Sequence, residues 1–455
     1  MSIEARFARF ICELAPQDIA PGALRTVQRV MLAATSTAIA GAGEDGIGEL
    51  RALLLESGGT PQATSWVFGD RMSAAAAAQL NGTMARALDF CDAMAPGIHI
   101  GSSLLPAALA AAELAGGCSG AEFVAALAVG AEISSRLNLT EAMYDGFDPT
   151  GVAVVFAPTA AAARILKLTP DQTLHALALA FNRCGGSFQS NIDGSLAVRL
   201  IQGWVAQTGV SCAQLAKRGL TGPVNFLSGI YGYGYLYGRG KLDIDTLAAG
   251  LGEAWWLDRM MFKKYPSCGA TQGLTELTLQ LAAELALTPQ QVRSVQVRLP
   301  PYSYKLVGQT FRRGDNPRVD AQFSAQYCVA NAIQRRGSTL EHFRPVNIDN
   351  AQIDALIERI TVVGDPALNA RGHTAVDVIL TTTDGAVLTR ALDIAPGFPG
   401  NGLSEAQHQA RFSDCMAYAR WPLSGRQVEG LRAAIDNLAA LDDARQLLPL
   451  LRARQ

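Results

Sequence analysis

The sequence predicts a mainly α-helical protein in which a large all-helical domain accompanies a smaller α+β domain. Three observations carry this. Alanine- and leucine-rich stretches fill the first half of the chain, and alanine has the highest intrinsic helix propensity. Strand-like alternation of apolar and polar residues returns only after Cys268, with a turn signal at Asp384-Gly385. The chain has 455 residues, more than one hydrophobic core ordinarily organises, so two domains are expected.

In chain order, residues 73–90 are rich in Ala and Leu and are expected to be helical. Residues 104–116, 120–137 and 157–167 carry helix-compatible apolar patterns between Gly and Pro breaks. Thr169-Pro170-Asp171 reads as a cap with proline at the first helical position, opening a helix toward Asn182. Several of these helices are apolar nearly all round, so they must be covered on every side, in part by a second subunit. Ser294 to Leu299 and Arg359 to Val363 read as strands, and Ala375 to Leu392 as a hairpin. Helical patterns lie around 321–335 and 350–358. Gly397-Phe398-Pro399-Gly400 marks a break, after which 404–420 and 425–440 return to helix. The expected domains are residues 1–266 with 398–455, and residues 267–397. The C-terminal tail is expected to pack back on the first of them.

Composition excludes several classes. Hydrophobic residues make up 49% of the chain, too many for a disordered one. The 38 basic and 40 acidic residues balance to a formal charge of -2, which gives no reason to expect nucleic acid or an anionic membrane as partner. An anionic ligand must then be held by a local cluster of Arg and Lys. Eight cysteines are scattered singly with no C-x-x-C spacing. Reduced thiols and a cytoplasmic location follow. The first residues, MSIEARFARFICEL, lack the apolar core of a signal peptide. The apolar stretches are interrupted by Glu113, Glu122 and Glu132, so they read as buried helices and not membrane spans. His342, His373 and His408 have no acidic or cysteine partner at ligand spacing, so no metal site is expected. His175, inside an apolar helix, reads as a core histidine.

Four segments could carry chemistry. The first runs from Asn81 through Arg86, Asp89 and Asp92 to His99. If the helix continued through it, Arg86, Asp89 and Asp92 would share one face. A carboxylate could then orient His99 for proton transfer. The plainer alternative is a helix end with solvated charges, which composition alone favours. The second is Phe262 to Cys268, with Lys263, Lys264 and Tyr265 where the helical part gives way to the α+β part. It could bind a carboxylate, or be a basic loop. The third is Asp193 to Leu200. Arg199, in an apolar helix start, needs an anionic partner, either a substrate carboxylate or an internal acid. The fourth, Asp320 to Tyr327, reads as a helix start with Asp320 near the cap and contains Ser324.

Taken together and in order, these segments resemble the 2-methylcitrate dehydratase family, also called the MmgE/PrpD family. The matching residues are Asn81, Asp89, Asp92 and His99; Lys263 with Tyr265 to Cys268; Asp193 to Leu200; Thr221 to Pro223; Asp320 to Tyr327; and Pro396 to Leu403. The matches run from about residue 10 to residue 440. No single motif is highly specific, but their order is. The resemblance implies a helical domain with a smaller α+β lid, dimerisation through helices, and cofactor-free chemistry on small di- or tricarboxylates in a cleft between domains. It implies that His99 and Asp89 are acid–base groups and that Lys263 binds a substrate carboxylate. Arg86, Arg199, Tyr265 and Ser324 join the expected substrate contacts.

The chain also departs from the family pattern. Arg86 stands where the family often has His, Asp148 where it commonly has a catalytic His, and Val198 where it commonly has Lys; a His is often found near Gln272. Asp148 can still serve as a base if burial raises its pKa. Val198 cannot replace a cation. Three functions follow: a dehydratase or decarboxylase as the leading reading, an epimerase or isomerase of a dicarboxylate, and a family member that only binds a carboxylate.

Overall fold

Small side chains set the packing distance of the larger of two units in this computed structural model, which describes residues 1–453. That unit comprises Met1–Phe188, Arg199–Met260 and Cys415–Gln455. The helices Gly101–Leu114, Gly120–Arg136 and Phe156–Ile165 pack on one another and form its centre. Every residue of Phe156–Ile165 is buried, and so is Gly101 to Ala112. Alanine makes this possible, because it lets helix backbones approach closely without loss of helix propensity. The capping box at Thr169 is present, with Pro170 opening the helix Pro170–Phe181. The C-terminal part returns to this unit as expected: Gly120 N–H donates to the Leu441 carbonyl and Val67 N–H to that of Leu451.

The helix Ala74–Arg86 is buried along nearly its full length. Asn81 fixes its position: its side chain accepts from the Trp66 N–H at 2.8 Å and donates to the Thr64 carbonyl at 3.1 Å. Gly82 faces the Gln202 and Ser102 carbonyls, and Gly203 faces Thr83 and the Gln79 carbonyl. A Cβ would collide at Gly203 and press tightly on both carbonyls at Gly82, so the Asn-Gly pair of the first motif serves helix crossing. The helix ends at Arg86 and does not run to residue 90. Arg86, Asp89 and Asp92 therefore do not share one helical face.

The smaller unit comprises Gln189–Val198 and Met261–Asp414. It is built on a four-stranded sheet: β1 (Val292–Leu299), β2 (Ile360–Gly364), β3 (Val376–Thr382) and β4 (Val387–Leu392), in the order β2-β1-β3-β4. β1 and β2 are parallel; the other pairs are antiparallel. All four strands lie where alternation placed them. Val295, Val297 and Leu299 of β1 and Val376, Val378 and Leu380 of β3 enter the core, as period-two alternation requires, and Val292 joins them across a register shift between Val292 and Ser294. The helices Gln272–Glu284 and Ala325–Arg335 pack on the sheet and on each other. The Asp320 segment corrects its sequence reading. Ser324 is the N-cap of Ala325–Arg335, accepting from Tyr327 N–H, whereas Asp320 lies inside the separate short helix Pro317–Gln322. Mainly helical, with a smaller α+β part, is therefore the observed class. No described helix is long and apolar enough to cross a membrane.

Candidate active site

After Arg86 the chain leaves the helix because Asp89 takes a left-handed backbone, φ 49°. Asp tolerates this region better than most residues. The turn aims the Asp89 carboxylate back at Arg86, and the two form an ion pair with both side chains buried. Burial works against the Arg86 charge. The charges of Asp89, Cys91 and Asp148, together with the Asp89 hydrogen bond, more than offset it and hold the guanidinium pKa above its usual value.

His99 sits in a loop pinned at both ends. Met94 and Ile98 exchange backbone hydrogen bonds of 2.8 and 3.0 Å. The buried Asp92 carboxylate accepts from Ile100 N–H at 3.1 Å and Gly101 N–H at 2.9 Å. Asp92 thus caps the helix Gly101–Leu114 from outside its own sequence, satisfying amides left open at a helix start. A side chain at Gly101 would strike that carboxylate. His99 itself is only half-buried. Its Nδ1 lies 2.8 Å from the Asp92 carbonyl oxygen and 3.4 Å from Cys91 Sγ. A carbonyl oxygen only accepts, so neutral His99 carries its proton on Nδ1 and leaves Nε2 as the basic nitrogen.

Asp148 joins the same neighbourhood through Arg86. It is buried, and its Oδ1 accepts from Thr150 N–H at 2.8 Å and Gly151 N–H at 3.4 Å. Burial raises its pKa, against the lowering effect of Arg86 and of the two amides. A π-helical turn, Thr150–Val154, follows directly. A polar chain supports it: Gln202 Nε2 donates to Thr150 Oγ1 at 3.1 Å, and Ser103 Oγ donates to the Gln202 side chain. Sequence reading missed Cys91, Ser103 and Gln202. Nothing at the level of motif spacing marks them, because Cys91 meets His99, and Ser103 and Gln202 reach Thr150, only through the fold.

The remaining candidates have other company. Arg199 Nη1 donates to the Asp45 carbonyl at 2.8 Å and its Nη2 lies 3.9 Å from Glu44 Oε2, so an internal acid accompanies it. Glu44 also accepts from Tyr418 Oη at 2.8 Å. In the smaller unit, Lys263 is 1% exposed. Lys264 Nζ and Tyr265 Oη each lie 2.6 Å from Glu276 Oε2. Burial and then Glu276 push the Tyr265 pKa well above its usual value. Gln272 holds the whole segment. Its Oε1 accepts from Lys264 and Tyr265 N–H at 2.9 Å each, and its Nε2 donates to the Tyr265 and Ser267 carbonyls at 3.0 and 3.2 Å. Gln322 Nε2 donates to the Pro266 carbonyl at 3.0 Å, which joins the Asp320 and Lys263 motifs. Arg86, Asp89, Asp148 and His99 thus gather in the larger unit, and Lys263, Tyr265 and Ser324 belong to the smaller one. His175 is only half-buried and stands 4.0 Å from Asp171, one helical turn away, so it is not a core histidine.

Family models match both parts of the chain: the MmgE/PrpD N-terminal domain over residues 5–244 and the MmgE/PrpD C-terminal domain over residues 265–425. The chain belongs to the MmgE/PrpD family. It is 27% identical to human cis-aconitate decarboxylase over 86% of this chain and 82% of that protein. It is 24% identical to the mouse cis-aconitate decarboxylase over 99% of this chain and 93% of that protein. It is 25% identical to the cis-aconitate decarboxylase-like protein oryM of Aspergillus oryzae over 87% of each. Membership and these relatives place the chain among enzymes, not mere carboxylate binders, and support lyase-type chemistry in the family.

Proposed function

We propose that this MmgE/PrpD enzyme is a cofactor-independent lyase that decarboxylates or dehydrates a small di- or tricarboxylate. The observation that carries the proposal is the half-buried His99, with Nε2 as its basic nitrogen, in contact with Cys91, which lies in the field of the buried Arg86 together with Asp89 and Asp148. In decarboxylation a carboxylate leaves as carbon dioxide. The electron pair of the broken C–C bond spreads into a neighbouring carboxylate as enediolate-like charge. Cationic groups stabilise that charge, and His99 delivers the proton to carbon. In dehydration His99 Nε2 removes the proton next to a carboxylate, and the hydroxyl on the neighbouring carbon leaves as water with a proton given by the Asp148 carboxyl. Asp89 pairs with Arg86 and offsets its charge within the proposed acid–base group. Asp148 is a second proton carrier. Lys263 anchors a substrate carboxylate. Arg86 and Arg199 add positive charge, and Tyr265 and Ser324 complete the polar contacts. The relatives named as cis-aconitate decarboxylases favour decarboxylation. The enzyme is proposed to work as a cytoplasmic homodimer.

One observation favours a second reading. His99 and Asp148 are two proton-handling groups of different chemistry, and Asp148 replaces a histidine common in the family. Two proton carriers suit an epimerase, which removes a proton and returns it to the same carbon. Incubating cis-aconitate and a panel of small dicarboxylates with the enzyme in deuterium oxide separates the readings. Carbon dioxide or water release that His99→Gln abolishes supports the lyase. Deuterium exchange with neither loss supports the epimerase. No product and no exchange on any substrate overturns both.

A further inference from the structure

The Nδ1 side of His99 holds two groups, and only one is accounted for by ordinary loop geometry. The Asp92 carbonyl oxygen lies 2.8 Å from Nδ1 and fixes the hydrogen there. Cys91 Sγ lies 3.4 Å from the same nitrogen, on a side chain with no exposed surface. With the hydrogen on Nδ1, the sulfur cannot be donating to that atom. It faces the N–H as a second acceptor, so the hydrogen is shared between oxygen and sulfur. The other charged groups of the neighbourhood are Arg86, Asp89, Asp148 and the Asp92 carboxylate. Arg86 carries positive charge toward the sulfur as well as toward Asp89 and Asp148, and a neighbouring cation favours electron density on a thiol sulfur. Asp92 Oδ2 accepts from Ile100 and Gly101 N–H.

We infer that Cys91 is a positioning residue for His99: its buried sulfur accepts from Nδ1–H, steadies the ring and supports the imidazolium formed when Nε2 takes a proton. In many acid–base pairs a carboxylate performs this service. Here the sulfur and the Asp92 carbonyl share it. Asp89, the carboxylate nearest in sequence, is turned by its left-handed backbone onto Arg86. The inference rests on the acid–base reading of His99, but its measurement does not need turnover.

The experiment is a pH titration of the imidazole signals of the full-length protein, labelled at histidine carbon and followed by NMR. The chain has five histidines, and His99→Gln assigns the signal by its loss. In Cys91→Ala the His99 midpoint should fall by about one pH unit, because an acceptor that favours the charged ring is gone. Cys91→Ser, which restores a shorter acceptor, should recover part of the shift. Turnover against pH should move its acidic limb in the same direction. An unchanged or raised midpoint in a folded Cys91→Ala protein overturns the inference. If Cys91→Ala does not fold, Cys91→Val, which fills the space without an acceptor, is read in its place, and a wild-type midpoint there overturns the inference. A fallen midpoint with no turnover on any carboxylate upholds the positioning role and refutes the lyase reading instead.

Discussion

The proposed acid–base cluster of the larger unit and the Lys263–Cys268 segment of the smaller one hold charge in opposite ways. Around His99 the side chains do the holding and the backbone is unusual. Asp89 is left-handed, a π-helical turn follows Asp148, and a carboxylate caps a helix from outside. Around Lys263 the backbone is held by the side-chain amides of Gln272 and Gln322, and the polar groups of Lys264 and Tyr265 are matched to Glu276. Strained backbone and a raised carboxyl pKa gather at the first region, which is where reactivity concentrates in enzymes. The second is a rigid frame, which suits binding a fixed group and not moving a proton.

Breaking the cluster should have the largest effect. His99→Gln removes the proton carrier but leaves a side chain able to fill the space. Turnover should drop by about 10²–10⁴-fold while the thermal unfolding midpoint stays near that of the parent. Retained activity would move the chemistry away from His99 altogether. Arg86→Met addresses stability instead. It leaves Asp89 and Asp148 buried without their cation, and losing one partner of a buried pair costs about 3–5 kcal/mol. Denaturant unfolding measures this directly, and a cost below about 1 kcal/mol would mean the pair is solvated.

The frame predicts a smaller loss of a different kind. Gln272→Ala leaves two backbone amides without their acceptor and three carbonyls of the Lys263 segment without this donor. A loss of about 2–3 kcal/mol is expected, with substrate affinity weakened more than the chemical step. An equal fall in kcat with KM unchanged would assign this segment to the reaction itself and erase the contrast between the two regions.

Much of the fold was legible because its signals are local. Strand alternation in β1 and β3, the Thr169-Pro170 cap and the Asp384-Gly385 turn each depend on neighbours a few residues apart. The cluster was legible only as a set of names. Periodicity carried the helix to residue 90, but Asp89 turns the chain at a single left-handed residue, and no pattern of apolar spacing encodes one torsion angle. Arg199 was recognised as needing an acid, and Glu44 lies 155 positions upstream. Cys91 looked like one scattered thiol among eight. Its meaning arises from the tight Met94–Ile98 loop, which folds His99 back onto it.

The smallest expected effect tests the sign of the electrostatics at Asp148. Its carboxyl pKa is raised, by burial above all, so the folded protein holds this proton at a pH where the unfolded chain has released it. Between the ordinary carboxylate value and the raised one, the folded state binds more protons. Stability therefore declines as pH rises through that window and is recovered on acidification. Asp148→Asn removes the titration but keeps a side-chain oxygen for the Thr150 and Gly151 amides. At neutral pH it should unfold no lower than the parent, and its unfolding midpoint should change less between pH 7 and pH 5. Loss of stability at pH 7 in Asp148→Asn would show that attraction to Arg86 outweighs burial. Asp148 would then be a fixed counter-charge to Arg86, the cluster would retain one proton carrier, His99, and the epimerase reading would lose its support.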